Sequence, residues 1–68
     1  MNNLKLLSQN LKIIRQKRNL TIREMAKITK IPYSFLINID KLNVKRIKLI
    51  YLDRLCYVFN ISISNLFS

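Results

Sequence analysis

A short segment near the middle of the chain limits the fold most, because it combines a helix start, a break and a second helix start. Residues 21–41 read TIREMAKITKIPYSFLINIDK. Thr21 and Glu24 have the spacing of a capping box, in which each side chain accepts a hydrogen bond from the other residue's backbone N–H. Pro32 lacks an N–H and has a fixed φ, which suit the first turn of a helix rather than its interior. The segment therefore predicts two short helices that meet just before Pro32.

The first helix should cover about residues 22–29 and the second about residues 32–40, with the break at Lys30. Helices this short cannot bury enough apolar surface alone, so the flanking segments must complete the core. In the second helix Leu36 and Ile39 share one side at helical spacing. The opposite side includes polar groups that can bond outward and consists of Tyr33, Ser34, Ile37, Asn38 and Lys41.

Apolar residues at intervals of three and four on both flanks predict three further helices. The first runs to about Lys17, and Ser62 or Ser64 caps the last. Asn19 and Asn60 follow helix ends, where asparagine tolerates the left-handed conformation better than most residues. The spacing is carried by Leu4, Leu7, Leu11 and Ile14 in the first, by Leu49, Leu52, Leu55, Cys56 and Phe59 in the fourth, and by Leu66 and Phe67 in the fifth. Residues 1–68 should therefore form a single all-α domain of five helices.

Composition narrows the function classes. Thirteen Lys and Arg against three Asp and Glu give a formal charge of +10, which indicates a polyanionic partner, either nucleic acid or an anionic membrane. No apolar run approaches the roughly 18 to 20 residues that cross a bilayer. With one cysteine and no histidine, the chain lacks an internal disulfide framework and an ordinary Cys/His metal cluster. We expect a cytoplasmic protein without cofactor, small-molecule ligand or enzymatic activity, since no nucleophile has an evident base.

The middle segment resembles the helix-turn-helix of the phage repressor and Cro family, and the resemblance extends from about Leu11 to Phe67. Ala26 stands at the family's small residue and Asp40 near the acid that closes its second helix. The other matching positions are the apolar Met25, Ile31, Leu36 and Ile39, and the stretch 51–67, YLDRLCYVFNISISNLF. The resemblance implies a compact repressor-like domain whose second and third helices form the DNA-binding motif.

Six positions depart from the family pattern. Glycine is replaced at Asn19, Lys30, Leu42 and Asn60, glutamine at Ile22, and proline at Ile47. If Lys30 has a positive φ, it carries strain of about 1 kcal/mol. The replaced glutamine removes one side-chain contact to phosphate or base that relatives can make.

By the resemblance, the third helix enters the major groove and its outward and N-terminal positions contact bases. These positions are Pro32, Tyr33, Ser34, Ile37, Asn38 and Lys41. Asn38 can bond adenine in bidentate fashion, and Ile37 can contact a thymine methyl. The alternatives are ordinary ones: a solvated Asn38, an Ile37 packed on a neighbouring segment, and a Ser34 that serves only its own helix.

The phosphate backbone should be contacted by the N-terminal amides of the second helix and by several cations. The predicted set is Lys17, Thr21, Ile22, Arg23, Lys30, Lys45 and Arg46. For any single lysine the alternative is a solvated surface charge. Arg15 and Asp40 resemble an ion pair that steadies the third helix in some relatives, so we assign them a structural role.

A DNA-binding member of this family is expected to act on double-stranded DNA as a homodimeric transcriptional regulator, most simply a repressor. Ile63, Leu66 and Phe67 are the predicted dimer contact, and their alternative role is to close the monomer's own core. Two other functions stay open. The fold could serve as a protein-binding module, such as an antitoxin or anti-activator, or the chain could be a cationic membrane-active peptide.

Overall fold

The computed structural model describes residues 3–68, which form five α-helices and no strand. Helix α1 spans Asn3–Lys17, α2 Ile22–Thr29, α3 Tyr33–Asp40, α4 Leu49–Phe59 and α5 Ile63–Leu66. The predicted all-α, five-helix fold is confirmed. Within residues 3–68 no helix is long and apolar enough to cross a membrane.

Every helix contributes to one apolar core. α3 packs against both α1 and α2, while α4 packs against α2 and α5, and α5 also contacts α1. This arrangement fixes α3 from its inner side and leaves its outer side uncovered by other helices. The buried apolar residues are Leu7, Leu11, Met25, Ile31, Leu36, Ile39, Leu52, Leu55, Phe59 and Leu66. Leu49 was expected to share the inner side of α4, but it begins the helix and is 67% exposed.

Within residues 3–68, four residues have a positive φ although none is glycine, and each ends a helix or follows its end. The φ angles are 53° at Asn19, 59° at Lys30, 57° at Leu42 and 53° at Asn60. Lys30 therefore meets the condition under which strain was expected, and Leu42 also adopts the left-handed conformation. Lys30 and Leu42 carry a β-carbon that this conformation crowds, so both positions store strain.

Hydrogen bonds compensate for the strained corner between α2 and α3. The Thr29 hydroxyl donates to the Met25 carbonyl at 2.7 Å and accepts from the Ile31 N–H at 3.3 Å. From α4, the Arg54 guanidinium donates to the Lys30 carbonyl at 2.8 Å. The corner therefore keeps its shape without glycine.

Replacing Lys30 with glycine should stabilise the domain by about 0.5 to 1 kcal/mol, because relief of the left-handed strain exceeds the added entropy of the unfolded chain. Thermal denaturation would measure the gain. Lys27→Gly is the matched control: Lys27 is an exposed lysine inside α2, where glycine costs about 1 kcal/mol. A loss of stability in Lys30→Gly similar to that of the control would contradict the assignment of strain.

Candidate nucleic-acid interface

The outer side of α3 forms a continuous accessible strip. Pro32, Tyr33, Ser34 and Lys41 are exposed, and Ile37 and Asn38 are half-buried. Leu36 and Ile39 fill the opposite, buried side. The structure thus brings all six predicted base-contacting residues to one accessible surface, which we call the reading strip.

The polar groups of the reading strip are available for an external partner. Within residues 3–68, the side chains of Ser34 and Asn38 make no hydrogen bond, and α3 has no side-chain N-cap. Ser34 therefore does not bond to the first turn of its own helix, which was its alternative role. An amide and a hydroxyl held on a rigid helix can donate to and accept from base edges.

A groove beside the reading strip adds residues that the sequence reasoning missed. It lies between α3 and the start of α4, has a volume of about 620 Å³, and includes Ser34, Asn38, Arg46, Lys48 and Tyr51 in its lining. The Lys48 ammonium lies 5.7 Å from the centre of the Tyr51 ring. In the sequence, the only signal for Lys48 was its position two residues after Arg46, close to the cations 45–46.

The start of α2 differs from its predicted role at one group. The Thr21 N–H donates to the Glu24 carboxylate at 2.8 Å, and the Glu24 N–H donates to the Thr21 hydroxyl at 3.1 Å. This confirms the capping box and gives the Thr21 amide, which was predicted to bind phosphate, an internal acceptor instead. The phosphate contact of Thr21 stays a prediction. Ile22 is half-buried against the core, so only its backbone amide remains for a phosphate.

Arg23 links the start of α2 to the reading strip. Its guanidinium carbon lies 4.5 Å from the centre of the Tyr33 ring, a cation–π distance. A guanidinium stacks on an aromatic ring through its flat face, whereas its N–H groups point outward in the guanidinium plane. A stacked arginine can therefore still donate hydrogen bonds to a phosphate. Arg23 and Tyr33 line a shallow cleft, whose other side chains include Arg15, Leu20 and Thr21.

The other cations predicted to contact phosphate, Lys17, Lys30, Lys45 and Arg46, are exposed, as such a contact requires. Arg18 is exposed as well, but its side chain has an internal partner. It donates to the Phe59 carbonyl at 3.4 Å and lies 5.0 Å from the centre of the Phe59 ring, so it stabilises the end of α4.

Arg15 and Asp40 lie together across α1 and α3, with 3.8 Å between guanidinium nitrogen and carboxylate oxygen. Their side chains are 24% and 30% exposed. A partly exposed pair at this distance contributes at most about 1 kcal/mol. The pair can help to orient the end of α3, but it contributes only a small part of the domain's stability.

At the C-terminal end, the predicted dimer contact is wrong for Leu66, which is 0% exposed and belongs to the monomer's core. Phe67 is half-buried against the same core, and Ile63 is 44% exposed. The Asn10 side-chain amide donates to the Leu66 carbonyl at 2.7 Å and to the Ser68 carbonyl at 3.1 Å. These bonds hold the end of the chain against α1.

Cys56 shows no sign of a reactive or metal-binding role. It is half-buried against the core, and burial raises the pKa of its thiol above the ordinary value, with a smaller contribution from Asp53. The thiol therefore stays protonated at neutral pH. Within residues 3–68 no three His, Cys, Asp or Glu residues group as metal ligands would.

The capping box makes the start of α2 sensitive to acid. Hydrogen bonds from the Thr21 backbone, and secondarily from its side chain, lower the pKa of Glu24 below its ordinary 4.5. Since the folded-state pKa is the lower one, this stabilisation is complete above the unfolded-state pKa and is lost as pH falls through the folded-state value. Thermal melting at a series of acidic pH values should show a smaller acid-induced loss in Glu24→Gln. An unchanged acid response in that variant would contradict this.

A family model described as Cro/C1-type HTH DNA-binding domain matches residues 10–68. Comparison with curated proteins and with solved structures gives no match.

Proposed function

Because the chain belongs to the family of Cro/C1-type helix-turn-helix DNA-binding domains, we propose that it is a small transcriptional regulator that recognises a specific double-stranded DNA sequence with α3. One observation supports this most strongly: the unbonded Ser34 and Asn38 side chains lie on the accessible side of a helix whose other side is buried. Binding without catalysis is sufficient for such a role.

The dimensions of α3 suit the major groove. A helix is about 10 to 12 Å in diameter with its side chains, close to the groove's width of about 12 Å. Asn38 would bond adenine, Ile37 would contact a thymine methyl, and Ser34 would bond a base or phosphate. Arg23, Arg46 and the other exposed cations would neutralise phosphates on either side and so set the register of the helix.

We further propose that the protein acts as a homodimer and as a repressor. Two copies related by a two-fold axis would insert their α3 helices about 34 Å apart on one face of the duplex. Repression requires only that the bound protein blocks access of another protein to the promoter. A repressor therefore needs no surface beyond those for DNA binding and dimerisation.

Two measurements test the proposal. In titrations against duplex DNA, log K should fall linearly with log salt, by about 0.9 for each phosphate neutralised. Selection of sites from a random oligonucleotide pool should then enrich a palindrome with half-sites about one helical turn apart. Salt-dependent affinity without enrichment would contradict sequence recognition. Failure to bind any duplex would instead favour the alternative, a protein-binding module on the same fold.

A further inference from the structure

The side of the domain formed by α2 and α4 is apolar and uncovered. Tyr57 is 87% exposed, Ile50 51% and Ile28 45%. Ile28, Ile50 and Tyr57 also line a groove of about 370 Å³ between the two helices. Large apolar side chains grouped in this way are typical of an interaction site rather than of ordinary surface.

We propose that this α2–α4 face is where a second copy of the chain binds, so that the homodimer forms through α4 rather than through the C-terminal helix. The inference rests on the proposed function, since a two-fold symmetric operator complex requires a surface for self-association.

The size of the α2–α4 face is that of a weak dimer contact. One aromatic side chain alone offers roughly 150 to 250 Å², and the three exposed apolar side chains together offer roughly 400 Å² per copy. Lys30, Asp53 and Arg54 line the same groove and add polar surface. Two copies would therefore bury about 1,000 Å², near the lower limit for a biological interface, which is typical of a weak, reversible contact.

This face carries one acid, Asp53, that a second copy can pair with. Asp53 lines the groove together with Lys30 and Arg54. Within the described residues its carboxylate has no ion pair and no hydrogen bond, whereas Glu24 belongs to the capping box and Asp40 pairs with Arg15. In a two-fold interface every contact occurs twice: residue i of the first copy contacts residue j of the second, and residue j of the first contacts residue i of the second. The unpaired acid of each copy can therefore approach the cations of the other.

The α2–α4 face leaves the reading strip free. Of the residues proposed to contact DNA, only Lys30 lines this groove, and the reading strip lies on α3. The C-terminal surface offers less exposed apolar area to a second copy, because Leu66 is buried and Phe67 packs against the monomer's core.

Sedimentation equilibrium of the free protein tests the proposal. The unmodified chain should be a reversible dimer in the micromolar range. Tyr57→Ser and Ile50→Ser should each weaken the dimer by at least about 10-fold, the effect expected for the anchor of an interface. Two matched controls should leave the dimer unchanged: Ile13→Ser on α1, where the side chain is 48% exposed, and Ile63→Ser on α5, where it is 44% exposed. Since all four side chains are exposed, melting curves should show each variant folded.

A monomeric free chain would overturn the proposal, and so would a dimer that dissociates in Ile63→Ser but not in Tyr57→Ser. Asp53→Lys gives an independent test of charge: it should weaken the dimer, and an unchanged dimer would contradict the charge pairing. Salt-dependent binding of Tyr57→Ser to duplex DNA separates this proposal from the proposed function. Loss of the dimer with DNA binding retained supports both, and a dimer that binds no DNA would contradict the proposed function alone.

Discussion

Replacing Asn38 with aspartate should weaken binding to the selected DNA site by at least about 100-fold while the domain remains folded. The variant loses a bidentate contact to adenine, worth about 1 to 3 kcal/mol, and brings a carboxylate to base acceptors and phosphates. Asn38 is half-buried and its side chain makes no hydrogen bond within residues 3–68, so its replacement with the similarly shaped aspartate breaks no internal hydrogen bond. Fluorescence anisotropy with the selected duplex would measure the change.

Asn65→Asp is the matched control for this prediction, because it makes the same change in charge at an exposed position on α5. It should reduce affinity only slightly, through the lower net charge of the chain. Equal losses in the two variants would mean that total charge, and not the reading strip, governs affinity.

Replacing Leu66 with alanine should destabilise the domain by about 3 kcal/mol, because the side chain is fully buried and its removal leaves a cavity. A domain of this size has a total stability of only roughly 3 to 5 kcal/mol. We therefore expect a fall in melting temperature of about 15 °C, measured by circular dichroism. The loss of DNA binding in this variant would follow from unfolding.

Ile63→Ala is the comparison for this prediction, since Ile63 lies on the same short helix and is 44% exposed. It should change the melting temperature by no more than a few degrees. A Leu66→Ala variant that melts like the unmodified protein but no longer dimerises would restore Leu66 to the dimer contact and contradict its assignment to the core.

The parts of this structure that follow from neighbouring residues could be predicted from the sequence. Thr21 and Glu24 fix the start of α2 through bonds three residues apart, and Pro32 fixes the start of α3 through its own ring. The left-handed conformation of Asn19 and Asn60 likewise depends on local sterics. Such interactions span less than one turn of helix, so the sequence alone contains them.

The parts that depend on distant contacts could not be predicted in the same way. Periodicity places Leu66 on an apolar side of α5, but only the packing of α5 against α1 and α4 decides that this side is covered. Arg54 reads as an ordinary surface cation, and its bond to the Lys30 carbonyl joins residues 24 positions apart. Lys48 and Tyr51 come next to Asn38 only because the loop after α3 folds back beside it.

The central claim is that α3 carries the residues that read DNA, and NMR titration of the labelled protein with its selected duplex tests it most directly. The largest chemical-shift changes should occur at residues 32–41 and at the start of α2, with the α2–α4 groove little affected beyond Lys30. Changes concentrated in α4 and α5, with residues 32–41 undisturbed, would contradict it.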